Sequence, residues 1–427
     1  MLLSFRVANH RSIRDEQELS LVATELNERT GRDTGVRSEG KQVSCLPAVG
    51  IFGANASGKS NLLSAMRFMR KAVRESFAEW DKDGGVPREP FTLADEAREE
   101  TSLFEVDLLL GSRGKRVRYT YGFELSDERV EAEWLHAYPS GRKQEWFDRD
   151  AGRPADGGDE FVFRGSGLRG PKESYVALTR PNSLFLTVAA AMNHPQLTAV
   201  HRWFRDNLWL VTAGQDIEAR TRWARNLLMH TADDDMRKRF ITLLRVADLG
   251  ITDVSVDADT GDPQLLHRAS DGQDKPLDFW KQESLGTHAW FAFLGPLLHV
   301  LDQGGTLLAD ELDSSLHPLL AAEVIRLFQD RESNPRTAQL IFTTHDATLL
   351  GPSVAERPLD RDQVWITLKS GTGETELYPL TAARKIRNDE NLERRYLHGH
   401  YGGIPRITTG EVARQLALVE EGRKATA

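Results

Sequence analysis

Eight consecutive residues, Gly53-Ala54-Asn55-Ala56-Ser57-Gly58-Lys59-Ser60, combine two glycines, a lysine and a terminal hydroxyl in the order a phosphate cradle requires. Phosphate oxygens need several amide N–H donors converging on one point, and a glycine-bearing loop running into a helix N-terminus supplies them with the positive end of the dipole. Gly53 and Gly58 let the backbone turn, Lys59 would reach the β- and γ-phosphates, and Ser60 would be a Mg²⁺ ligand. Far downstream, Thr306-Leu307-Leu308-Ala309-Asp310-Glu311 ends an apolar run in adjacent carboxylates. Successive strand residues point to opposite sides, so the two can take separate roles. Asp310 would hold Mg²⁺ through water, and Glu311 would orient and polarise the water that attacks in line at phosphorus.

These residues need a scaffold. The apolar run Ala48 to Phe52 before the glycine loop and the helical spacing of Asn61 to Met66 after it read as strand, loop and helix. Gln339 to Thr344 is a β-branched and apolar strand that ends in His345-Asp346. Leu316, Leu320, Val324 and Phe328 give a helix with one buried stripe, and Pro318 is tolerated in its first turn. The alternation of strand and helix predicts an α/β fold, with ligands at the carboxyl ends of its parallel strands. Residues 91–125 alternate apolar and polar around Gly111-Ser112-Arg113-Gly114 and read as a β-hairpin, whereas Asp148 to Gly170, rich in Gly, Asp and Arg, reads as a mobile loop.

The form GxNxSGKSNLL, with Asn55, Ser57 and Asn61 in the loop and the helix start, resembles the RecF, SMC and OLD-type ATPases. So do an opening strand with Asn9-His10-Arg11-Ser12, the run Leu312-Asp313-Ser314-Ser315-Leu316-His317-Pro318, and His345 after the second carboxylate-proximal strand. The resemblance implies an ABC-type P-loop ATPase head of two lobes with an inserted short helical arm, binding ATP and Mg²⁺. It also implies that Arg11 and Ser12 approach the nucleotide, that His345 contacts the γ-phosphate, and that Asp313 and Ser314 lie in a dimer interface. Lys281 to Phe291 is similar to a divergent ABC signature, in which Ser284, Gly286 and a helix N-terminus face the γ-phosphate of a second copy. Nucleotide sites completed by a homodimer or larger assembly follow from that resemblance.

The domain reading is an N-terminal ATPase lobe over 1–170, an inserted helical arm over 171–250, a second ATPase lobe over 251–380, and a tail over 381–427 available to a partner. Tyr396 to Pro405 resembles the YLxGxYGxIP ending of ATPase subunits in abortive-infection and anti-phage systems of the RloA and AbiL types. That likeness implies a sensor or regulatory ATPase controlling a separate effector, a nuclease or toxin. Two alternatives stand beside it: a RecF-like DNA repair ATPase, and a slowly hydrolysing ATP-dependent scaffold.

Composition sets outer bounds. The 427 residues, 40% hydrophobic, suffice for a layered core, and a single cysteine, Cys45, excludes an intrachain disulfide and suits a reducing compartment. The longest apolar stretch, near Phe291 to Leu301, is too short to cross a bilayer, and no export signal is read at the N-terminus, so a cytoplasmic protein without membrane contact is expected. A net charge of -9 argues against a generally nucleic-acid-coated surface. DNA stays open as a partner through two basic clusters, Arg220, Arg222, Arg225, Arg237, Lys238 and Arg239, and Arg384, Lys385, Arg387, Arg394 and Arg395.

Overall fold

The computed structural model describes all residues except 25–29, 39–40, 113, 213–215, 231–233, 248–249, 315, 353–356, 383–389, 406–409 and 426–427. Two sheets dominate. A six-stranded sheet runs in the order Leu208–Thr212, Thr306–Asp310, Gln339–Thr344, Ala48–Phe52, Val364–Lys369 and Thr375–Pro379. Its first five strands are parallel and the last is an antiparallel edge. The three central strands are covered on both faces, which is why their sequences are nearly continuous apolar runs.

The second sheet is antiparallel and seven-stranded, in the order Phe161–Val162, Gln144–Asp150, Val130–Tyr138, Val117–Leu125, Ser102–Leu110, Leu2–Ala8 and Gln17–Ser20. Its strands alternate buried and half-buried positions, as in Ser102–Leu110, because one face meets the core. The hairpin expected within residues 91–125 is the centre of this sheet.

The helix Lys59–Glu75 lies between the sheets. Its Leu62, Leu63, Met66 and Met69 join Phe5 and Val7 of the antiparallel sheet and Val49, Ile51, Leu308 and Ile341 of the parallel one in a single core. Burying each such side chain contributes about 1.5–3 kcal/mol relative to leaving it exposed. The opposite face of the parallel sheet offers Ala48, Leu307, Leu340 and Phe342 to the helices Leu285–Gln303 and Pro318–Gln329. Alternate residues of each strand thus feed two cores, and the strand ends between them stay free for chemistry.

Residues 171–250 mix helix with sheet. Phe185–Ala191 and Leu197–Asp206 pack in the first core, Leu208–Thr212 pairs with Thr306–Asp310, and Ile217–His230 lies against Leu285–Gln303. The mobile loop expected over Asp148 to Gly170 is instead partly regular: Phe161–Val162 pairs with Arg149 and Asp148 and closes the sheet edge. Arg149, 1% exposed, holds this region by donating to Glu160 Oε1 at 2.7 Å and Ser183 O at 2.9 Å. A buried guanidinium with full partners overrides the loop-like composition. No helix among the described residues is long and apolar enough to cross a membrane.

Candidate functional site

The strand Ala48–Phe52 ends at the glycine loop, and the helix begins at Lys59 with Gly58 as its N-cap in a left-handed conformation, φ 100°. A Cβ at Gly58 would collide with Thr375, and one at Gly53 with Thr367 Oγ1, so both positions exclude a side chain on space, and Gly58 on conformation as well. Ser57 is buried and its Oγ lies 2.6 Å from Thr367 Oγ1, leaving its backbone in the cradle. Lys59 Nζ donates to Gly53 O at 2.7 Å and Ala54 O at 2.9 Å, and sits 3.2 Å from His345 Nδ1. Burial lowers its pKa to about 8, against the opposing pull of Asp313, Glu311 and Asp310.

At the next strand end, Asp310 Oδ1 accepts from Ser60 Oγ at 2.9 Å and from Thr343 Oγ1 at 2.6 Å. Thr343 Oγ1 also accepts from Glu311 N at 2.7 Å, and Glu311 takes φ 52°, a left-handed turn that costs free energy in a residue with a side chain. Thr343 thereby ties the Asp310 carboxylate to the Glu311 backbone. Glu311 Oε1 lies 3.9 Å from His345 Nε2, and the His345 amide points at the Asp313 carboxylate, 3.3 Å from Oδ2. A cavity of about 610 Å³ is lined by the loop Asn55 to Asn61 together with Glu311, Asp313, Ser314, His345 and Lys369. Its lining brings the donors Lys59, Ser60 and Lys369 together with the carboxylates of Glu311 and Asp313. The Ser60 hydroxyl and the Asp310 carboxylate within hydrogen-bond distance form a hard-oxygen pair that fits Mg²⁺, which is held through few carboxylates, water and substrate phosphate.

The N-terminal turn abuts this cavity. Asn61 Nδ2 donates to Ser12 Oγ at 2.6 Å, and Ser12 Oγ is 2.7 Å from Thr375 Oγ1, which in turn donates to Ser57 O at 3.0 Å. Ser12 and Asn61 are thus brought together, with their side chains bonded to protein. Arg11, at φ 53°, pairs with Glu89 at 2.5 Å on the rim. Asn9 anchors the opposite segment, donating to Ala97 O at 2.6 Å and accepting from Phe91 N at 2.8 Å.

The model of the family described as "AAA domain, putative AbiEii toxin, Type IV TA system" matches residues 48–351, from the glycine-loop strand to beyond His345, well over half of the chain. The chain belongs to this family. It is a member with the P-loop, Glu311 and the histidine in one cavity and Asp310 bonded to Ser60 at its edge. Among solved structures it is similar, at 12% identity, to an Smc head bound to the C-winged helix domain of ScpA, with 90% of this chain and 99% of that one aligned and a TM-score of 0.44. An Smc head with an extended coiled coil, bound to the C-terminal domain of ScpA derived from Pyrococcus furiosus, aligns at 12% identity over 90% and 97% with a TM-score of 0.42. An Smc head with a coiled coil and joint derived from Pyrococcus yayanosii aligns at 12% identity over 90% and 99% with a TM-score of 0.39. Curated proteins give no match.

In this family member Ser284 and Gly286 do not line the cavity of their own chain. Ser284 caps the helix Leu285–Gln303, its Oγ accepting from Thr287 N at 3.0 Å. Ser284 and Gly286 are exposed, and Leu285 between them is 82% exposed. Of the basic clusters, Arg220 donates to Thr212 O at 3.0 Å, Arg237 to Asp253 Oδ1 at 2.6 Å, and Arg395 pairs with Glu390. Arg384, Lys385 and Arg387 lie outside the described residues.

Sequence reasoning passed over Thr343, Thr367, Thr375 and Lys369. The threonines left a signal: Thr343 and Thr367 are hydroxyl residues within strands that are otherwise apolar and buried, and both are fully buried here. A buried hydroxyl demands a partner, and these find theirs in the site. Lys369 left none, because a lysine at a strand end is ordinary on a surface.

Proposed function

We propose that the protein hydrolyses ATP with Mg²⁺ at this cavity, and that ATP holds two copies together until hydrolysis releases them. The observation that carries the reading is the convergence of Lys59, Ser60, Glu311 and His345, drawn from positions 59 to 345, on one cavity, with Asp310 bonded to Ser60 beside it. Loop amides from Asn55 to Ser60 and the helix dipole receive the β- and γ-phosphates, and Lys59 turns from Gly53 O and Ala54 O to a phosphate oxygen. Ser60 and Asp310 hold Mg²⁺, which offsets charge on the β- and γ-phosphates. Glu311 orients the attacking water, and His345, fixed by Asp313, donates to the γ-phosphate. Ser284 and Gly286 of a second copy complete the site from outside, consistent with their exposure.

On this reading, together with the family's description as a putative AbiEii toxin of a Type IV TA system and the Tyr396 to Pro405 ending, the ATPase is the sensor or regulatory subunit of an anti-phage system with a separate effector. Arg11 and Ser12 stand at the nucleoside side of the site.

The deciding experiment is the mass of wild-type and Glu311→Gln protein with and without Mg-ATP, alongside phosphate release. The expected result is steady phosphate release by the wild type, and an ATP-stabilised dimer or larger assembly with hydrolysis lost in the variant. Wild-type rates in the variant would remove Glu311 as the water-orienting residue. A monomer under all conditions would remove the shared site.

A further inference from the structure

The phosphate cavity does not end at the glycine loop. A second cavity of about 570 Å³ adjoins it, lined by Arg11, Ser12, Pro90, Leu93, Lys369 and Gly373 among others, and Lys369 lines both. Lys369 ends the strand Val364–Lys369, and its register partner Thr375 opens the returning strand. Thr367 and Thr375 of this hairpin grip Ser57 from two sides, so the backbone that carries Lys369 is fixed relative to the phosphate loop. The turn crosses at Gly373, φ 90°, where a Cβ would meet Leu93 and approach Lys369 Cε at 3.9 Å. Glycine there leaves both side chains free to lie over the turn.

Lys369 is exposed, and among the described residues no hydrogen bond or ion pair is recorded for it, whereas Arg11 nearby is committed to Glu89 and Arg14 to Glu374. A cation at the junction of two cavities, held in no ion pair although Glu89 lines one cavity and Glu311 and Asp313 the other, and carried on a hairpin fixed to the phosphate loop, is placed to meet an anionic group that spans the junction. In a nucleoside triphosphate whose terminal phosphates fill the first cavity and whose nucleoside enters the second, that group is the α-phosphate. The geometry points to Lys369 as a second phosphate-binding cation that grips the α-phosphate, while Pro90 and Leu93 offer the nucleoside an apolar wall. This inference rests on the ATPase reading and extends it to a residue and a cavity outside the loop and carboxylate motifs.

The test compares wild type, Lys369→Met and Lys369→Arg in steady-state ATP hydrolysis, with binding of ATP, ADP and inorganic pyrophosphate in the Glu311→Gln background. Because a charge-assisted hydrogen bond to phosphate is lost while the reacting end is untouched, Lys369→Met should raise KM about tenfold and lower kcat less than about threefold. ATP and ADP affinities should fall by the same factor, pyrophosphate affinity should stay within about twofold, and Lys369→Arg should restore binding because the charge is kept. Unchanged KM and ADP affinity in Lys369→Met, with normal wild-type turnover, would overturn the inference alone. Equal losses for pyrophosphate and ADP would also overturn it, by moving the contact to the terminal phosphates. A wild-type protein that binds no ATP would overturn both this inference and the ATPase reading.

Discussion

The two sheets of this molecule handle polar groups in opposite ways. In the antiparallel sheet, Glu133 is fully buried and its carboxylate accepts from Phe185 N at 2.6 Å, Leu186 N at 3.0 Å and the Tyr121 hydroxyl at 3.0 Å. Burial is the main influence on that carboxyl and pushes its pKa upward. Every partner is protein, so the group ties sheet to helix and has nothing left to offer a ligand. In the parallel sheet, Asp310, Glu311 and Lys59 are held from beneath by threonine hydroxyls or backbone carbonyls, while their remaining capacity faces cavities at the strand ends. Polar groups enclosed by protein build structure, and polar groups supported on one side only are left for chemistry.

That contrast can be broken by mutation. The largest effect is expected for Glu311→Gln, which should lower phosphate release by about 100-fold or more, the scale of a lost water-orienting base, with an unchanged melting temperature. Glu133→Ala should do the reverse. It strands two backbone N–H groups and a hydroxyl in a dry core, at about 2–4 kcal/mol, measurable by urea unfolding, while activity per folded molecule holds. Loss of hydrolysis without loss of stability in Glu133→Ala would erase the distinction between the sheets. Thr343→Val should fall between them, costing about 1–2 kcal/mol of stability and raising the Mg²⁺ concentration for half-maximal activity, because Asp310 loses a donor and Glu311 N an acceptor.

The smallest effect concerns protons. Lys59 in the free protein has its pKa lowered to about 8, so above pH 8 it is increasingly neutral, whereas a bound phosphate favours the ammonium. Nucleotide binding should therefore take up no proton from Lys59 at pH 6.5 and approach about one proton at pH 9, read by calorimetry in buffers of differing ionisation enthalpy. The same shift signs the stability contribution. Between pH 8 and 10.5 the unfolded lysine holds a proton the folded one has shed, so this group makes folding more favourable as pH rises through that window. Proton release on binding at pH 9 would contradict the burial of Lys59.

Much of the site was legible because phosphate chemistry permits few solutions. The glycines, lysine and serine of residues 53–60 must be contiguous, so their spacing exposed them, whereas Asp310-Glu311 after an apolar strand became legible with the following Leu312 to Pro318 run, which resembles related ATPases. Of the antiparallel sheet only one hairpin and an opening strand were read, the latter ending at Ala8 with Asn9 to Ser12 in the turn beyond it, since alternation along a strand fixes which face is buried but not which strand lies beside it. The order from Phe161–Val162 to Gln17–Ser20 brings residue 2 next to residue 108 and residue 161 next to residue 149, pairings without a local signature. Asp148 to Gly170 misled for a related reason, because glycine and charge mark loops on average, while Arg149 gains its carbonyl partners only once residues 180–183 have folded over it.

By itself, then, the sequence marked out the candidate chemistry: a glycine loop with lysine and serine suited to phosphate, two carboxylates after a strand, and a scaffold that alternates strand with helix. Tertiary structure alone decided how those residues are held. Thr343 between the Asp310 carboxylate and the Glu311 amide, Thr367 and Thr375 clasping Ser57, and Lys369 at a cavity junction all depend on groups separated by dozens to hundreds of residues. The physical reason is range. Backbone turns and helix starts are dictated by neighbours in the chain, whereas hydrogen-bond partners and cavity walls are dictated by neighbours in space, which exist only after the strands have assembled.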